Sequence, residues 1–209
     1  MSVIERLSTS LGRQGDEANQ ELAAELARTR DAGDVDELVA NLSHKNRRIA
    51  SDCVKTLYEL GYLAPELIAP HVDAFVWLLE SKNNRLVWGG MIALSTTAPL
   101  RPDAIYGQLE QVMRAMDGGS VITVDAGISV LAHLAAANAT YGQRLIPYLL
   151  EHLRTCRPTS LAQHAERVAV AIDAGHRDEF AAILTARADE VTKAGQARIR
   201  RVLRSVAGP

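Results

Sequence analysis

The side chains with the clearest capacity for chemistry are two histidines and a cysteine in the second half of the chain. His152 and Cys156 are four residues apart, and His164 follows eight residues later. Histidine and cysteine are usual zinc ligands, but a structural zinc site normally has four protein ligands. No second cysteine and no CxxC pair lies nearby. The sequence therefore predicts no metal site. These residues are interpreted instead as a basic, histidine-containing helix C-terminus, which suits the helix macrodipole.

Motifs for cofactor-dependent or nucleophilic catalysis are missing from the sequence. It contains no GxGxxG or P-loop motif for binding nucleotides and no GxSxG motif for a serine nucleophile. We therefore predict a non-catalytic protein without a cofactor.

Composition and charge are those of an ordinary folded protein. Of the 209 residues, 47% are hydrophobic and only 4% are aromatic, so the core must consist mainly of Ala, Leu, Val and Ile. The net charge of −2 argues against general affinity for nucleic acids and leaves local basic patches as an alternative. No apolar run of about 18 residues is present, and Glu5 and Arg6 interrupt the apolar region of a signal peptide. We expect a cytoplasmic protein with no membrane partner, in which Cys53 and Cys156 are reduced thiols.

A repeat of 37 residues organises most of the chain. Segments 48–61, 85–98, 122–135 and 159–172 align at that spacing. Within each segment, apolar residues recur at i, i+4 and i+7, which places them on one stripe of a helix. The intervening segments carry a second apolar stripe in the same register. The columns of the first stripe are Ala50, Val87, Val124 and Leu161; Val54, Met91, Ile128 and Ala165; and Leu57, Leu94, Leu131 and Val168.

Helix boundary signals recur at the same spacing. Pro65 and Pro102 fall in the first turn of a helix, where a missing N–H does least harm. Asn46 and Asn83 are placed to provide N-caps for the helices that follow them. Each repeat is therefore predicted to be a pair of antiparallel helices.

These pairs extend over most of the chain, which we predict to be one continuous domain. The first pair is predicted at roughly 34–43 and 46–61, and a fifth pair fits if one residue is inserted near 173–176. Residues 1–30 are predicted to form an atypical helical cap and residues 31–209 the repeats. The stripes of the fifth pair are Leu184, Ala188 and Val191, then Ile199, Leu203 and Val206.

With this helix pair, the early prolines and a basic residue entering the second helix (Arg48, Arg85), the chain resembles HEAT-type repeat proteins, in particular their compact bacterial and archaeal forms. Its repeat is shorter than the about 40–47 residues usual for HEAT and armadillo units. The resemblance covers about residues 30–209 and implies an all-α, right-handed α-solenoid of about five helix pairs. It also implies protein binding as the commonest use, with a partner held in a concave groove of second helices.

Gly89 and Gly90 fall inside a predicted second helix, where each costs about 1 kcal/mol relative to alanine. In the repeat alignment Gly90 shares a column with Cys53, Gly127 and His164, and most of that column is small. Small side chains let neighbouring helices approach at the low end of the usual range of about 8–10 Å. We therefore expect the helix to continue through tightly packed glycines; a helix break or a ligand-induced gap is the alternative.

Four residues next to this column are candidates for contacting a partner, which we predict to be another protein or a peptide segment. Trp88, Asp125, His164 and Glu166 lie on second helices and are predicted to share one groove. In the alternative interpretation Trp88 belongs to the core, Asp125 caps or pairs locally, and His164 is a satisfied polar residue.

A basic edge supports a different class of function. Lys45, Arg48, Lys82 and Arg85 lie near turns one repeat apart, about 10 Å from each other on helix-packing distances. Such an edge is a candidate site for phosphate or another anion. The alternative function is therefore a nucleic-acid-binding HEAT-like protein.

Enzymes built on HEAT-like repeats offer two further comparisons. Deoxyhypusine hydroxylases carry paired His-Glu motifs for a di-iron centre, and this chain contains no His-Glu dipeptide. Alkylated-base DNA glycosylases place an Asp, an Arg and tryptophans around a cationic groove. Trp88, Asp125 and Arg144 are only loose counterparts. A DNA-glycosylase-like activity is accordingly the enzymatic form of the alternative, behind the non-catalytic binding protein.

Overall fold

The computed structural model describes residues 2–207, and all regular secondary structure in that range is helical. The chain divides into two compact units, Met1–Gly127 and Ile128–Pro209, with the boundary inside one helix. Each unit is built of packed helices, as the predicted helix pairs require. The single continuous domain over the whole chain stays a prediction.

The helices have the following bounds, with short 3-10 turns at Val3–Arg6, Asn41–Ser43, Ala69–His71, Ala169–Ala171 and Ala188–Glu190. The first unit contains α1 (Glu17–Thr29), α2 (Ala32–Ala40), α3 (Arg47–Leu63), α4 (Pro65–Ile68), α5 (Val72–Leu78), α6 (Asn84–Thr97), α7 (Pro102–Tyr106), α8 (Leu109–Asp117) and the start of α9 (Val121–Ala137). The second contains the rest of α9 together with α10 (Ala139–Thr155), α11 (Pro158–Val168), α12 (Arg177–Ala186) and α13 (Lys193–Val206).

The second helices of the first four pairs are α3, α6, α9 and α11, and each begins 37 residues after the one before it. The predicted N-caps are confirmed, because Asn46 Oδ1 accepts a hydrogen bond from the Arg48 backbone N–H and Asn83 Oδ1 accepts one from that of Arg85. Prolines occupy the first position of α4 and of α7, also as predicted.

The first helices of the second and third pairs are each broken into two shorter helices. Between α4 and α5, Pro70 lies in the 3-10 turn Ala69–His71 and lacks the amide hydrogen that a continuing α-helix needs. Between α7 and α8 the break falls at Gly107, a residue type that weakens helices. In these two pairs the second helices are therefore the longer elements, with 14 residues in α6 and 17 in α9.

In the first unit α3 lies between α1 and α6, and α2 and α4 pack beside it. Because neighbours cover both of its flanks, Leu57 and Leu60 are fully buried. Even the polar side chains of Asp52 and Lys55 lie mostly out of solvent on this helix. α1 thus covers one flank of α3, the second helix of the first pair, and its role as a cap of the repeats stays a prediction.

α6 runs unbroken through Gly89 and Gly90. A Cβ atom on Gly89 would lie 2.8 Å from Val54 Cγ2 of α3, and one on Gly90 would lie 2.9 Å from both Leu78 Cβ and the carbonyl oxygen of Phe75 on α5. Side chains do not fit at those distances. The glycines therefore allow close packing on two sides of α6, and the tight-packing interpretation is confirmed.

In the second unit α10 packs against α12, and α11 packs against α13. The predicted fifth helix pair is therefore present as α12 and α13. Its core contains Phe180 and Leu184 from the first helix and Ile199 and Val202 from the second.

The apolar stripes predicted for this fifth pair extend beyond what the helices bury. α12 ends at Ala186, so Ala188 and Val191 lie outside it. On α13, Leu203 is partly exposed and Val202 is buried in its place. α12 is therefore shorter than its predicted stripe, and the buried position on α13 is shifted by one residue.

Replacing Gly90 with alanine is expected to destabilise the protein although alanine favours helices. The added Cβ would meet a backbone oxygen at 2.9 Å. Overpacking of this kind costs about 1–3 kcal/mol, and a contact with backbone, which cannot rotate away, belongs at the upper end of that range, above the gain of roughly 1 kcal/mol in helix propensity. Urea denaturation followed by circular dichroism measures the free energy of unfolding.

Gly118→Ala is the matched control, since nothing lies within 4 Å of its added Cβ. It should leave the free energy of unfolding nearly unchanged. A Gly90→Ala protein as stable as the wild type would contradict the close approach of α5 and α6.

Candidate functional site

Three aromatic side chains form one cluster on the second helices of the first unit. Tyr58 and Tyr62 lie one turn apart on α3, and Trp88 lies on α6. The ring centroids of Tyr58 and Trp88 are 5.8 Å apart, and those of Tyr58 and Tyr62 are 6.2 Å apart. Tyr58 is buried, Trp88 is partly exposed and Tyr62 is 60% exposed. This aromatic row (Tyr58, Tyr62 and Trp88) offers apolar surface that rests on a buried ring.

Charged side chains frame the aromatic row. Lys55 Nζ lies 4.9 Å from the centroid of the buried tyrosine, and Arg85 Cζ lies 6.0 Å from that of Trp88. Glu59 Oε1 is 2.6 Å from the lysine nitrogen, and Asp16 Oδ1 is 2.9 Å from Arg85 Nη2. Burial alone lowers the pKa of Lys55, but hydrogen bonds to Glu59 and the tyrosine raise it above its ordinary value. The lysine is therefore charged at neutral pH.

Arg85 also lines a polar cleft of about 1020 Å³ in the same unit. The cleft is bounded by the N-terminal segment, the start of α3 and the start of α6. Its charged lining is Arg13, Arg47, Arg48, Lys82 and Arg85 on the basic side, and Asp16 and Asp52 on the acidic side.

Three of the cations that line the polar cleft are not engaged by the protein itself. Arg47, Arg48 and Lys82 are exposed, and their side chains form no ion pair with a residue in the described range 2–207. The N-termini of α3 and α6 add the positive ends of two helix dipoles to the same wall. The cleft is therefore electropositive and suits carboxylate or phosphate groups.

Of the predicted basic edge, all residues except Lys45 line this cleft. Arg47, which belongs to the same basic turn as Arg48 in the sequence, lines the cleft as well. Sequence reasoning missed Arg13. Arg13 lies outside the repeats, and only the folded N-terminal segment brings it to the cleft.

Buried polar groups hold the N-terminal segment in the cleft wall. Asp52 Oδ2 of α3 accepts a hydrogen bond of 2.8 Å from the Thr9 backbone N–H. Asn19 Oδ1 of α1 accepts one of 2.9 Å from that of Ser8. Both acceptors are buried, where an unpaired polar group would be costly. The N-terminal segment is therefore held firmly in the wall of the cleft by α1 and α3.

The four residues predicted to contact a partner are distributed over both units. Trp88 and Asp125 lie in the first unit and are partly exposed. In the second unit, His164 is only 2% exposed. Glu166 accepts hydrogen bonds of 2.9 and 2.6 Å from the Arg198 guanidinium. Their action as one contact set stays a prediction, and His164 and Glu166 form hydrogen bonds within the protein.

The second unit brings together the three residues that the sequence did not predict to act as a group. His152 lies in the last turn of α10, Cys156 directly follows that helix, and His164 lies on α11. His152 Nε2 and His164 Nδ1 are 2.9 Å apart, so one ring donates a hydrogen bond to the other. The potential ligand atoms of all three residues, including the sulfur, lie within 4.8 Å of one another.

Arg187 holds the end of α10 next to these side chains. Its guanidinium donates hydrogen bonds of 2.8 Å to the carbonyl oxygens of Leu153 and Cys156, and Nη1 lies 3.7 Å from Cys156 Sγ. Burial raises the pKa of the Cys156 thiol, and the charge of Arg187 acts against that rise. The repeat pattern contained no sign of this contact, because Arg187 is 31 residues away in the chain.

The chain matches no protein-family model and no curated protein sequence. It is similar to the solved structure of an engineered protein, with a TM-score of 0.67, 18% identity, and coverage of 99% of this chain and 97% of that chain. It is also similar to a designed armadillo repeat protein in complex with a (KR)4 peptide, with a TM-score of 0.60, 16% identity, and coverage of 98% and 89%. The karyopherin Kap121p, in a structure bound to Pho4p, gives a TM-score of 0.66 at 14% identity over 96% of this chain and 22% of its own.

These similarities establish the fold class. The chain has an all-α repeat fold of the HEAT and armadillo solenoid type, as the sequence predicts. At such low sequence identities the similarity shows the fold only, and the function has to be inferred from the residues of this chain. Within residues 2–207, no helix has the length and apolar character needed to cross a membrane.

Breaking the ion pair between Glu166 and Arg198 is expected to change how stability depends on pH. The hydrogen bonds from Arg198 hold the pKa of Glu166 below its ordinary value of 4.5. The pair therefore stabilises the folded state fully above that pH, and its contribution is lost as the pH falls through the lower pKa of the folded protein. Arg198→Gln should raise the pKa of Glu166 in an NMR titration.

The same variant should lose at most about 1 kcal/mol of stability near pH 7, since the pair is partly exposed, and the difference should vanish in acid. Arg200→Gln removes an exposed charge from the same helix and serves as the control. A Glu166 pKa that is the same in the wild type and in Arg198→Gln would rule out the pair.

Proposed function

We propose that this chain is a non-catalytic binding protein that holds a segment of another protein against its second helices. The aromatic row with Arg85 beside it is the observation that carries the proposal. Tyr, Trp and Arg are the residue types most enriched among those that dominate binding energy at protein interfaces. The partly exposed Trp88 and the exposed Tyr62 contact the ring of the buried Tyr58, so their positions are largely set before a partner binds. Little conformational entropy is then lost on binding.

Solved structures with similar folds support this use. They include the designed armadillo repeat protein in complex with a peptide and Kap121p bound to Pho4p or to the SUMO protease Ulp1p. In each case the partner of the repeat protein is a peptide or another protein.

The positive charge of the polar cleft indicates that the partner segment is acidic. Arg85 contacts the Trp88 ring and lines the polar cleft, so the aromatic row and the cleft are adjacent. The cleft presents five cations against two carboxylates. A partner segment with an apolar or aromatic anchor on the row and acidic side chains toward the cleft complements both surfaces. This preference is opposite in sign to the (KR)4 peptide of the designed neighbour.

The other three predicted contact residues differ in how readily they could bind a partner. Asp125 is partly exposed in the first unit and stays a candidate contact. His164 and Glu166 would have to give up their bonds to His152 and Arg198 before they could bind a partner. Binding tests therefore start with Trp88.

A second candidate function is the binding of nucleic acid in the polar cleft. Arg47, Arg48 and Lys82 are exposed cations that form no ion pair among the described residues, and such cations contact phosphates. The adjacent aromatic row could stack on unpaired bases. The DNA-glycosylase-like form of this alternative stays a prediction.

Trp88→Ala is expected to weaken partner binding at least 10-fold, because it removes the partly exposed indole ring of the aromatic row. Peptides selected from a displayed library on the wild-type protein provide defined ligands, and fluorescence anisotropy of the labelled peptides measures the change in Kd. Selected sequences should combine an apolar or aromatic residue with acidic residues.

Trp77→Ala is the matched control, since Trp77 is 57% exposed on the first helix α5 and lies outside the aromatic row. It should leave the peptide affinity unchanged. Equal loss of affinity in both tryptophan variants, or selection of basic peptides, would overturn the proposed surface. Urea denaturation of both variants separates loss of binding from loss of folding.

The second candidate predicts a strong dependence of binding on salt and on the three exposed cations. If each contacts one phosphate, the slope of log K against log salt for duplex DNA is about −2.7. Replacing Arg47, Arg48 and Lys82 with glutamine should abolish most of that slope. The measurement is anisotropy of labelled single-stranded and duplex oligonucleotides over a salt series.

Glutamine at Lys193, Arg200 and Arg201 is the matched control, because these are exposed cations on α13, outside the cleft. Oligonucleotide binding that is weak, or equally reduced in both triple variants, excludes the cleft as a nucleic-acid site.

A further inference from the structure

We propose that His152, Cys156 and His164 form a zinc site with three protein ligands and one open coordination position. The site lies in the second unit, where α10 ends and α11 begins. The proposal does not depend on the partner-binding function, which is carried by residues of the first unit.

The potential ligand atoms already lie close to the spacing that zinc requires. Zinc binds imidazole nitrogen at about 2.0–2.1 Å and thiolate sulfur at about 2.3 Å, so neighbouring atoms of a tetrahedral site are roughly 3.3–3.7 Å apart. The two imidazole nitrogens are 2.9 Å apart, and all three atoms lie within 4.8 Å of one another. Small side-chain rotations are enough to match the ion.

Zinc would take the place of the hydrogen that the two rings now share. The ring that donates must present a lone pair to the ion, so its hydrogen moves to the other nitrogen of the same ring. Cys156 binds as the thiolate and releases its proton to solvent. The net change is one ion bound and one proton released, and no oxidation or reduction is involved.

The protein supports these ligands from both sides. Arg187 fixes the end of α10 through the carbonyl oxygens of Leu153 and Cys156. Its positive charge lies next to the sulfur, which favours the thiolate. Glu190 holds this guanidinium in turn. Outer contacts of this kind orient metal ligands and tune their affinity.

One side of the proposed site is open to solvent, so a zinc ion can enter. His164 is almost fully buried, whereas His152 and Cys156 are partly exposed. An ion therefore enters from the side of the latter two, and water completes its coordination there. A structural site would use four protein ligands, whereas three ligands and a water are the pattern of open zinc sites.

The test uses the full-length protein after treatment with a chelator, with zinc or cobalt(II) as the probe. Calorimetric titration and elemental analysis should give one zinc per chain. Cobalt(II) should produce a thiolate-to-metal charge-transfer band, which reports a sulfur ligand directly. Zinc should also raise the Tm, since the preformed site exists only in the folded protein.

Cys156→Ser and His152→Gln should each weaken zinc binding more than about 100-fold, because loss of an outer-shell partner alone costs about 10–100-fold. Both residues are partly exposed, and circular dichroism checks that the variants are folded. His176→Gln is the matched control. It removes another partly exposed histidine of the second unit, one paired with Asp173, and should bind zinc like the wild type.

Thiol alkylation gives an independent readout. Cys53 is fully buried, and burial raises its pKa to about 12, so Cys156 is the thiol that reacts in the folded protein. Zinc should slow that reaction at least 10-fold, as measured by mass spectrometry. The proposal is overturned by the absence of stoichiometric zinc, by a cobalt spectrum without the thiolate band, or by equal affinities of Cys156→Ser and wild type. The histidine pair would then be a packing hydrogen bond only.

Discussion

Close approach between neighbouring helices is the constraint on which the first unit depends. Gly89 leaves room for Val54 of α3, and Gly90 leaves room for the backbone of α5. At that spacing Trp88 of α6 reaches the ring of Tyr58 on α3, and the starts of both helices bound the same polar cleft. A larger residue in the glycine column would push α6 outward and separate the surfaces that are proposed to bind a partner.

In the second unit the same column holds a histidine, and the consequences are different. The buried ring of His164 cannot be left without a hydrogen bond, because an unpaired polar group in the interior is costly. His152 provides that bond from α10, and the turn between the helices places Cys156 beside both rings. A single departure from small residues thus creates a group of three potential ligands. The interpretation of His164 as a satisfied buried histidine and its proposed role as a zinc ligand therefore both rest on its contact with His152.

The charged residues of the protein divide into those paired internally and those left for a ligand. Arg187 and Arg198 are paired with carboxylates of their own unit. Pairs of this partly exposed kind contribute at most about 1 kcal/mol, so their main effect is to hold side chains in place. Arg47, Arg48 and Lys82 line a polar cleft and form no such pair with any of the residues that the structure describes. Their charge is therefore available for recognition.

The sequence by itself determined the repeat fold, because its signals act locally or recur at a fixed spacing. The caps at Asn46 and Asn83 bond to backbone groups two residues away, and the alignment of repeats predicts that the glycines of α6 are closely packed. It also placed most of the basic edge. The partners of Glu166 and the approach of Arg13 to the cleft were decided only by the tertiary structure. Periodicity specifies which face of a helix is apolar, whereas the pairing of Arg198 with Glu166 joins side chains 32 residues apart whose directions depend on how whole helices pack.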